Sequence, residues 1–241
     1  MRSANPTLSD TTFREARRTA NSRPMTLDGV VSCAAWLLAL VLGGAAGIWY
    51  YQPPTGLVLL GAPAAAFVLA IVIVVRKQAA PFLAPIYALA EGITLGGVTL
   101  GAEQMHPGIA VQALGLTLGI FLALLVAYRS RLVRASDNFK LMVFSGTVGI
   151  GLYYLASFVG GYFGIQMPLI HETGLLGIGF SLLVVVLASL NLVLDFDFIE
   201  QGVQARAPRY MEWYAAFGLV VTLVWLYLEV LHLLAKIRQR D

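Results

Sequence analysis

Cysteine is almost missing from this chain: Cys33 stands alone among 241 residues, inside an apolar run. A single thiol forms no intramolecular disulfide and supplies no metal cluster. Charge is scarce as well. Only 12% of the residues are Asp, Glu, Lys or Arg, where a soluble domain carries roughly 25%, and that excludes an ordinary soluble enzyme. No His/Cys/Asp/Glu set has zinc spacing, no glycine loop has the form that cradles a phosphate, and no His-Glu pair resembles that of a membrane metalloprotease. No enzymatic activity and no cofactor are therefore expected. Nucleic acid is not an expected partner either, because the basic residues are scattered over short connectors without aromatic platforms beside them.

What is abundant is apolar. Hydrophobic residues make up 59% of the chain, with 24 Gly and 10 Pro set among long apolar runs. Gly is commoner in membrane-spanning helices than in soluble ones, and strings such as Gly43-Gly44-Ala45-Ala46-Gly47 read as helix-packing sequence rather than nucleotide loops. The opening residues are polar and carry Arg2, Arg14, Arg17, Arg18 and Arg23, unlike a cleavable signal peptide. The first apolar run is read as a retained helix.

Seven apolar segments are expected, at about 29–51, 55–75, 81–103, 108–128, 139–161, 175–199 and 212–235. Each is near the roughly 20 residues that cross about 30 Å of hydrocarbon. Gln52-Pro53-Pro54-Thr55-Gly56, Pro81, His106-Pro107-Gly108, Gln166-Met167-Pro168 and Ala205-Arg206-Ala207-Pro208 punctuate them. The fold class is an all-α membrane protein of seven transmembrane helices, with the lipid bilayer as its first partner. Residues 1–27 form a basic N-terminal tail, 28–236 the membrane domain and 237–241 a short C-terminal tail.

Lys and Arg in alternate connectors give the orientation. With a cytoplasmic N-terminus that side holds five in the tail, Arg76 and Lys77, then Arg129, Arg131, Arg134 and Lys140, then Arg206 and Arg209, or 5 + 2 + 4 + 2 = 13. The opposite loops hold none. Lys236, Arg238 and Arg240 oppose the count but are outweighed. The expected location is a bacterial inner membrane.

Acids inside such a bundle are costly, and they usually face its interior or a water path. Leu194-Asp195-Phe196-Asp197-Phe198-Ile199-Glu200 ends the sixth run with three carboxylates, and Glu229 lies in the last run. Asn191 and Asp195, four apart, share one helical face. Asp197 and Glu200 read as solvated acids at a helix end, with support for Asp195 as the other reading of Asp197. Glu91 lies about ten residues into the third helix, before small residues that permit close packing; it is either a functional acid or one paired with a donor in the bundle. Two nearby buried carboxylates tend to share one proton, which suits a pH-dependent gate. Their depths leave two geometries open. Measured from Glu212, Glu229 is 229 − 212 = 17 residues and roughly 25 Å along its helix; measured from Phe217 it is roughly 18 Å, within water-bridging reach of Asp195 across a tilted or broken helix.

Leu194-Asp195 with Ile199 is similar to the sixth-helix signature of the Bax inhibitor-1/YccA family, also called the transmembrane Bax inhibitor motif family. Leu226-Tyr227-Leu228-Glu229 resembles its seventh-helix Leu-Tyr-Leu-Asp, with Glu in place of Asp. Gly92-Ile93-Thr94-Leu95 looks like its third-helix glycine segment, and Arg76-Lys77 falls near its basic loop. The resemblance implies six helices wrapped around a central C-terminal one. It also implies a pH-sensitive calcium leak in which Asp195 and Glu229 form a proton-sharing, calcium-responsive pair, with Arg76 or Lys77 as a latch. Calcium and protons are then the expected small partners. The rival reading is a non-transporting regulator that binds another membrane protein, such as a membrane-anchored protease, through its tail and loops. A proton-coupled transporter of a small solute would show internal repeats, and none is convincing.

Overall fold

The computed structural model describes residues 23–51, 56–164 and 174–240, with side chains described outside 56–59 and 162. Most of the basic tail, 1–22, and the connector residues 52–55 and 165–173 lie outside them. Seven α-helices are found among the described residues: α1 Leu27–Tyr51, α2 Gly56–Val75, α3 Ala80–Met105, α4 Ile109–Arg129, α5 Asp137–Tyr162, α6 Leu175–Gln204 and α7 Tyr210–Arg238. All seven expected runs are helical, with ends within a few residues of those read from the sequence. Six of the seven are long and apolar enough to cross a bilayer; for α2 the apolar helix described is the shorter Leu60–Val75. The protein is an all-α, multi-pass membrane protein.

Hydrocarbon offers no water to backbone or hydroxyl groups, so each must be satisfied inside the protein. Helices do this for the backbone. The buried or half-buried hydroxyls of Thr94, Thr117 and Ser189 donate back to the carbonyls of Ala90, Ala113 and Val185, four residues earlier. At the end of α1, Trp49, Tyr50 and Tyr51 are exposed, as aromatic side chains at a membrane–water interface commonly are.

Two compact units are distinguished. Residues 23–105 with 197–221 form the first, and 106–196 with 222–240 the second. In the first unit Val30, Cys33, Ala34, Leu37 and Val41 make the buried stripe of α1. Opposite it α3 presents Ala84, Ala88, Gly92, Leu95 and Gly96, all buried. The two backbones nearly touch. A Cβ built on Gly44 would lie 2.9 Å from the Leu89 carbonyl oxygen, one on Gly96 2.9 Å from Ala45 Cα, and one on Gly92 would run into the Val41 carbonyl. Small residues at such a crossing let dispersion act over the longest contact, the main source of helix association in lipid.

The α6–α7 turn is closed by a Schellman pattern: Ala207 N donates to Gly202 O and Arg206 N to Val203 O. Arg206 occupies the left-handed region at φ 51, a place that favours glycine. Just before α1, Met25 N donates to Ala207 O at 2.7 Å, and Pro24 and Pro208 form an isolated antiparallel bridge. The start of α1 is thereby strapped to this turn.

Replacing Gly92 with Ala should force α1 and α3 apart and lower stability by about 1–3 kcal/mol, the usual cost of overpacking. Gly43→Ala meets nothing within 4 Å and should be neutral or slightly stabilising. Thermal unfolding of the two variants in detergent checks the contrast.

Candidate functional site

Glu229, on α7, is 4% exposed. The Tyr154 hydroxyl of α5 donates to both of its oxygens, at 3.0 and 3.1 Å. The indole Nε1 of Trp225, one turn earlier on α7, donates to Oε1 at 3.1 Å. The carboxyl is thus clamped by one donor from across the bundle and one from its own helix. Tyr154 is itself set by ring contact with Phe180 of α6, centroids 6.4 Å apart.

Asp195 has a different environment. The Thr222 hydroxyl of α7 is its hydrogen-bond partner, while Oδ2 is buried and without any partner among the described residues. This bond fixes the register of α6 against α7. Thr222 precedes Glu229 by 229 − 222 = 7 residues, so the two carboxyls engage the same face of α7 about two turns, roughly 10 Å, apart. They have separate donors. One turn from Asp195, Asn191 donates to the Thr147 hydroxyl of α5 at 2.8 Å and to the Leu187 carbonyl at 2.9 Å. Thr147 and Tyr154, also seven apart, put both α5 contributions on one face. A polar stripe therefore runs through the second unit: Thr147 and Tyr154 on α5, Asn191 and Asp195 on α6, Thr222 and Glu229 on α7.

The other residues singled out from the sequence fall elsewhere. Asp197 accepts from Gln201, and Glu200 accepts from Gln204 at 3.3 Å. Both are bonds within the last turns of α6, where Asp197 belongs to the first unit and Asp195 to the second. Glu91 is half-buried in α3, one turn after Tyr87, whose ring meets Phe217 of α7 edge-on at 4.9 Å. Arg76 is exposed at the end of α2, and the Lys77 ammonium lies 5.6 Å from the Tyr214 ring centre.

A third buried acid was not anticipated. Glu212, in the first turn of α7, is 5% exposed. It accepts from the Thr26 backbone N–H at 2.9 Å and the Thr26 hydroxyl at 3.0 Å, and Arg209 Nε stands 3.7 Å away. Thr26 in turn caps α1, its Oγ1 accepting from Gly29 N at 3.0 Å. In a capping box an acid three residues after the cap reaches back to the cap N–H. Here that position is Gly29, and a Cβ on it would occupy the place of the Glu212 carboxylate. Glu212 completes the box from another helix. The Thr26 to Gly29 spacing was visible in the sequence, but the distant acid that serves it was not. Trp225, at i − 4 from Glu229, was the one clamp residue within reach of helical periodicity.

Among the described residues no three His, Cys, Asp or Glu side chains come close enough to hold a metal together. Any cation at Asp195 or Glu229 would take one carboxylate and complete its shell with hydroxyls, carbonyls and water.

Seven apolar helices, with two carboxyls held in a polar stripe among three of them, define a polytopic membrane protein with ionisable groups inside. The family model described as Bax inhibitor 1 like matches residues 5–239, and the chain belongs to that family. Searches of curated proteins and of solved structures gave no match.

Thr222→Val keeps the side-chain shape but removes the donor to Asp195. Leaving a buried carboxyl without its bond should cost about 1–3 kcal/mol, measured as a lower unfolding midpoint in detergent. The same change on an Asp195→Asn background should cost less, because the neutral amide is cheaper to bury.

Proposed function

We propose that the protein is a pH-sensitive cation leak, with calcium as the expected cargo, working through Asp195 and Glu229. The observation that carries this reading is the buried, unpartnered Oδ2 of Asp195. A buried acceptor normally has a partner, and an open carboxylate oxygen on a polar stripe suits a proton, a water or a hard cation. Calcium takes 6–8 oxygen ligands. One carboxylate with surrounding hydroxyls and water holds it weakly, and conduction requires binding weak enough to release.

Protons and cation compete for the same oxygens. Protonation of Asp195 or Glu229 removes the negative charge that attracts the ion, so acidification empties the site and a falling proton concentration refills it. Asn191, bonded to Thr147, holds the α5–α6 contact one turn from Asp195, and Thr222 orients the carboxyl itself. The strong bias of Lys and Arg toward alternate connectors supports an N-terminus in the cytoplasm, in the inner membrane of a bacterium.

Calcium flux into liposomes carrying the purified protein tests the reading. Asp195→Asn and Glu229→Gln should each reduce the flux at least about tenfold, the scale of one lost charge-assisted ligand, and flatten its dependence on pH. Unchanged pH-dependent flux in both variants would end the proposal.

A further inference from the structure

The two acids of the stripe are not equivalent. Asp195 has an open oxygen, whereas Glu229 has both of its oxygens engaged, three contacts being supplied by only two donors. A carboxylate has about four lone-pair positions. The Tyr154 hydroxyl, shared between Oε1 and Oε2, lies across the mouth of the carboxyl, where a cation would sit to engage both oxygens. A phenol hydroxyl that donates to the carboxylate points its hydrogen into the space between the two carboxylate oxygens, the space a bidentate cation would need. The ion and the hydroxyl proton therefore compete for one place.

We infer that Tyr154 is a positioning residue that regulates cation access to Glu229: with Trp225 it holds the carboxyl closed, and a cation engages Glu229 only when the Tyr154 hydroxyl turns away. This rests on the cation-leak reading above. It assigns Asp195 as the acid that is open in this structure and Glu229 as the acid that must be released. Phe180 backs the Tyr154 ring, so the hydroxyl can leave by a small ring movement with the ring still packed. Trp225 stays beside Glu229 on the same helix, so one donor remains when the other departs.

The test uses the full chain with Tyr154→Phe, which deletes one oxygen atom and keeps the ring. In liposome flux measured against calcium concentration, the variant should reach half-saturation at a concentration lower by about three- to tenfold, the worth of a charge-assisted bond no longer displaced. Its maximal rate should be equal to or above that of the unaltered protein. Trp225→Phe should shift half-saturation the same way but less. A merely structural role would lower the maximal rate and leave half-saturation where it was, and that result overturns the inference.

A second readout separates this inference from the reading beneath it. Trp36→Phe, Trp49→Phe and Trp213→Phe together leave Trp225 as the sole tryptophan, whose indole N–H touches Glu229 directly. Calcium titration of its fluorescence should give a transition that Tyr154→Phe moves to lower calcium. If no flux is found but this transition appears and moves, transport fails and the clamp stands. If flux is present but neither half-saturation nor the transition moves, the clamp fails and transport stands. If calcium changes nothing in either measurement, both fail.

Discussion

A carboxyl group buried among helices must find donors within the protein, and the structure answers that demand to different degrees at three sites. Glu212 receives the backbone N–H and hydroxyl of Thr26, with Arg209 nearby. Glu229 receives Tyr154 and Trp225. Asp195 is left with Thr222 and an open oxygen. The three acids thus differ in how far their oxygens are satisfied. A fully satisfied acid such as Glu212 contributes to a helix junction and resists change, since removing either partner leaves an uncompensated buried group. A half-satisfied acid carries a cost that a proton, a water or an ion would relieve.

The framework around these acids is made of parts that need no charge. Lipid tails are as apolar as the side chains facing them, so helix pairing relies on close packing rather than on apolar burial. Gly44, Gly92 and Gly96 make the α1–α3 crossing possible, and an alanine at Gly92 already exceeds the space. α7 is the most enclosed of the six long apolar helices, 56% of its apolar window being buried against 11% for α5. The polar stripe thus combines side chains of the well-buried α7 with Thr147 and Tyr154 of the more exposed α5.

The sequence disclosed the seven helices because each apolar run is bounded by Pro, Gly or charge, signals that act locally. It disclosed Asp195, Asn191 and Glu229 because ionisable or amide groups are rare in hydrocarbon and stand out singly. It did not disclose their partners. Tyr154, Thr147 and Thr222 are unexceptional residues in a membrane helix, and only the rotation of α5 and α7 about their axes turns them toward the acids. The same holds for Glu212, which reads as an acid in the first turn of a helix, a favourable place near the dipole, until the distant Thr26 is brought to it. The glycine run in α3 announced close packing without naming α1 as the neighbour.

The far end of α7 is basic. Lys236, Arg238 and Arg240 are the only basic residues that oppose the orientation drawn from the connectors. Two of them have partners that account for their place. Lys236 is 9% exposed and donates to the Gly177 carbonyl at 3.2 Å, while Arg238 donates to the Pro107 carbonyl at 2.8 Å and to Gln112 Oε1 at 2.9 Å. Pro107 belongs to the α3–α4 connector and Gly177 to the first turn of α6, so the end of α7 lies at the same end of the second unit as they do. Cations tied to carbonyls inside the protein answer to its packing before they answer to the membrane's charge bias. The opposing charges are better read as fasteners for the last helix than as a contrary topology signal, and the helix they fasten is the one on which Thr222, Trp225 and Glu229 are aligned.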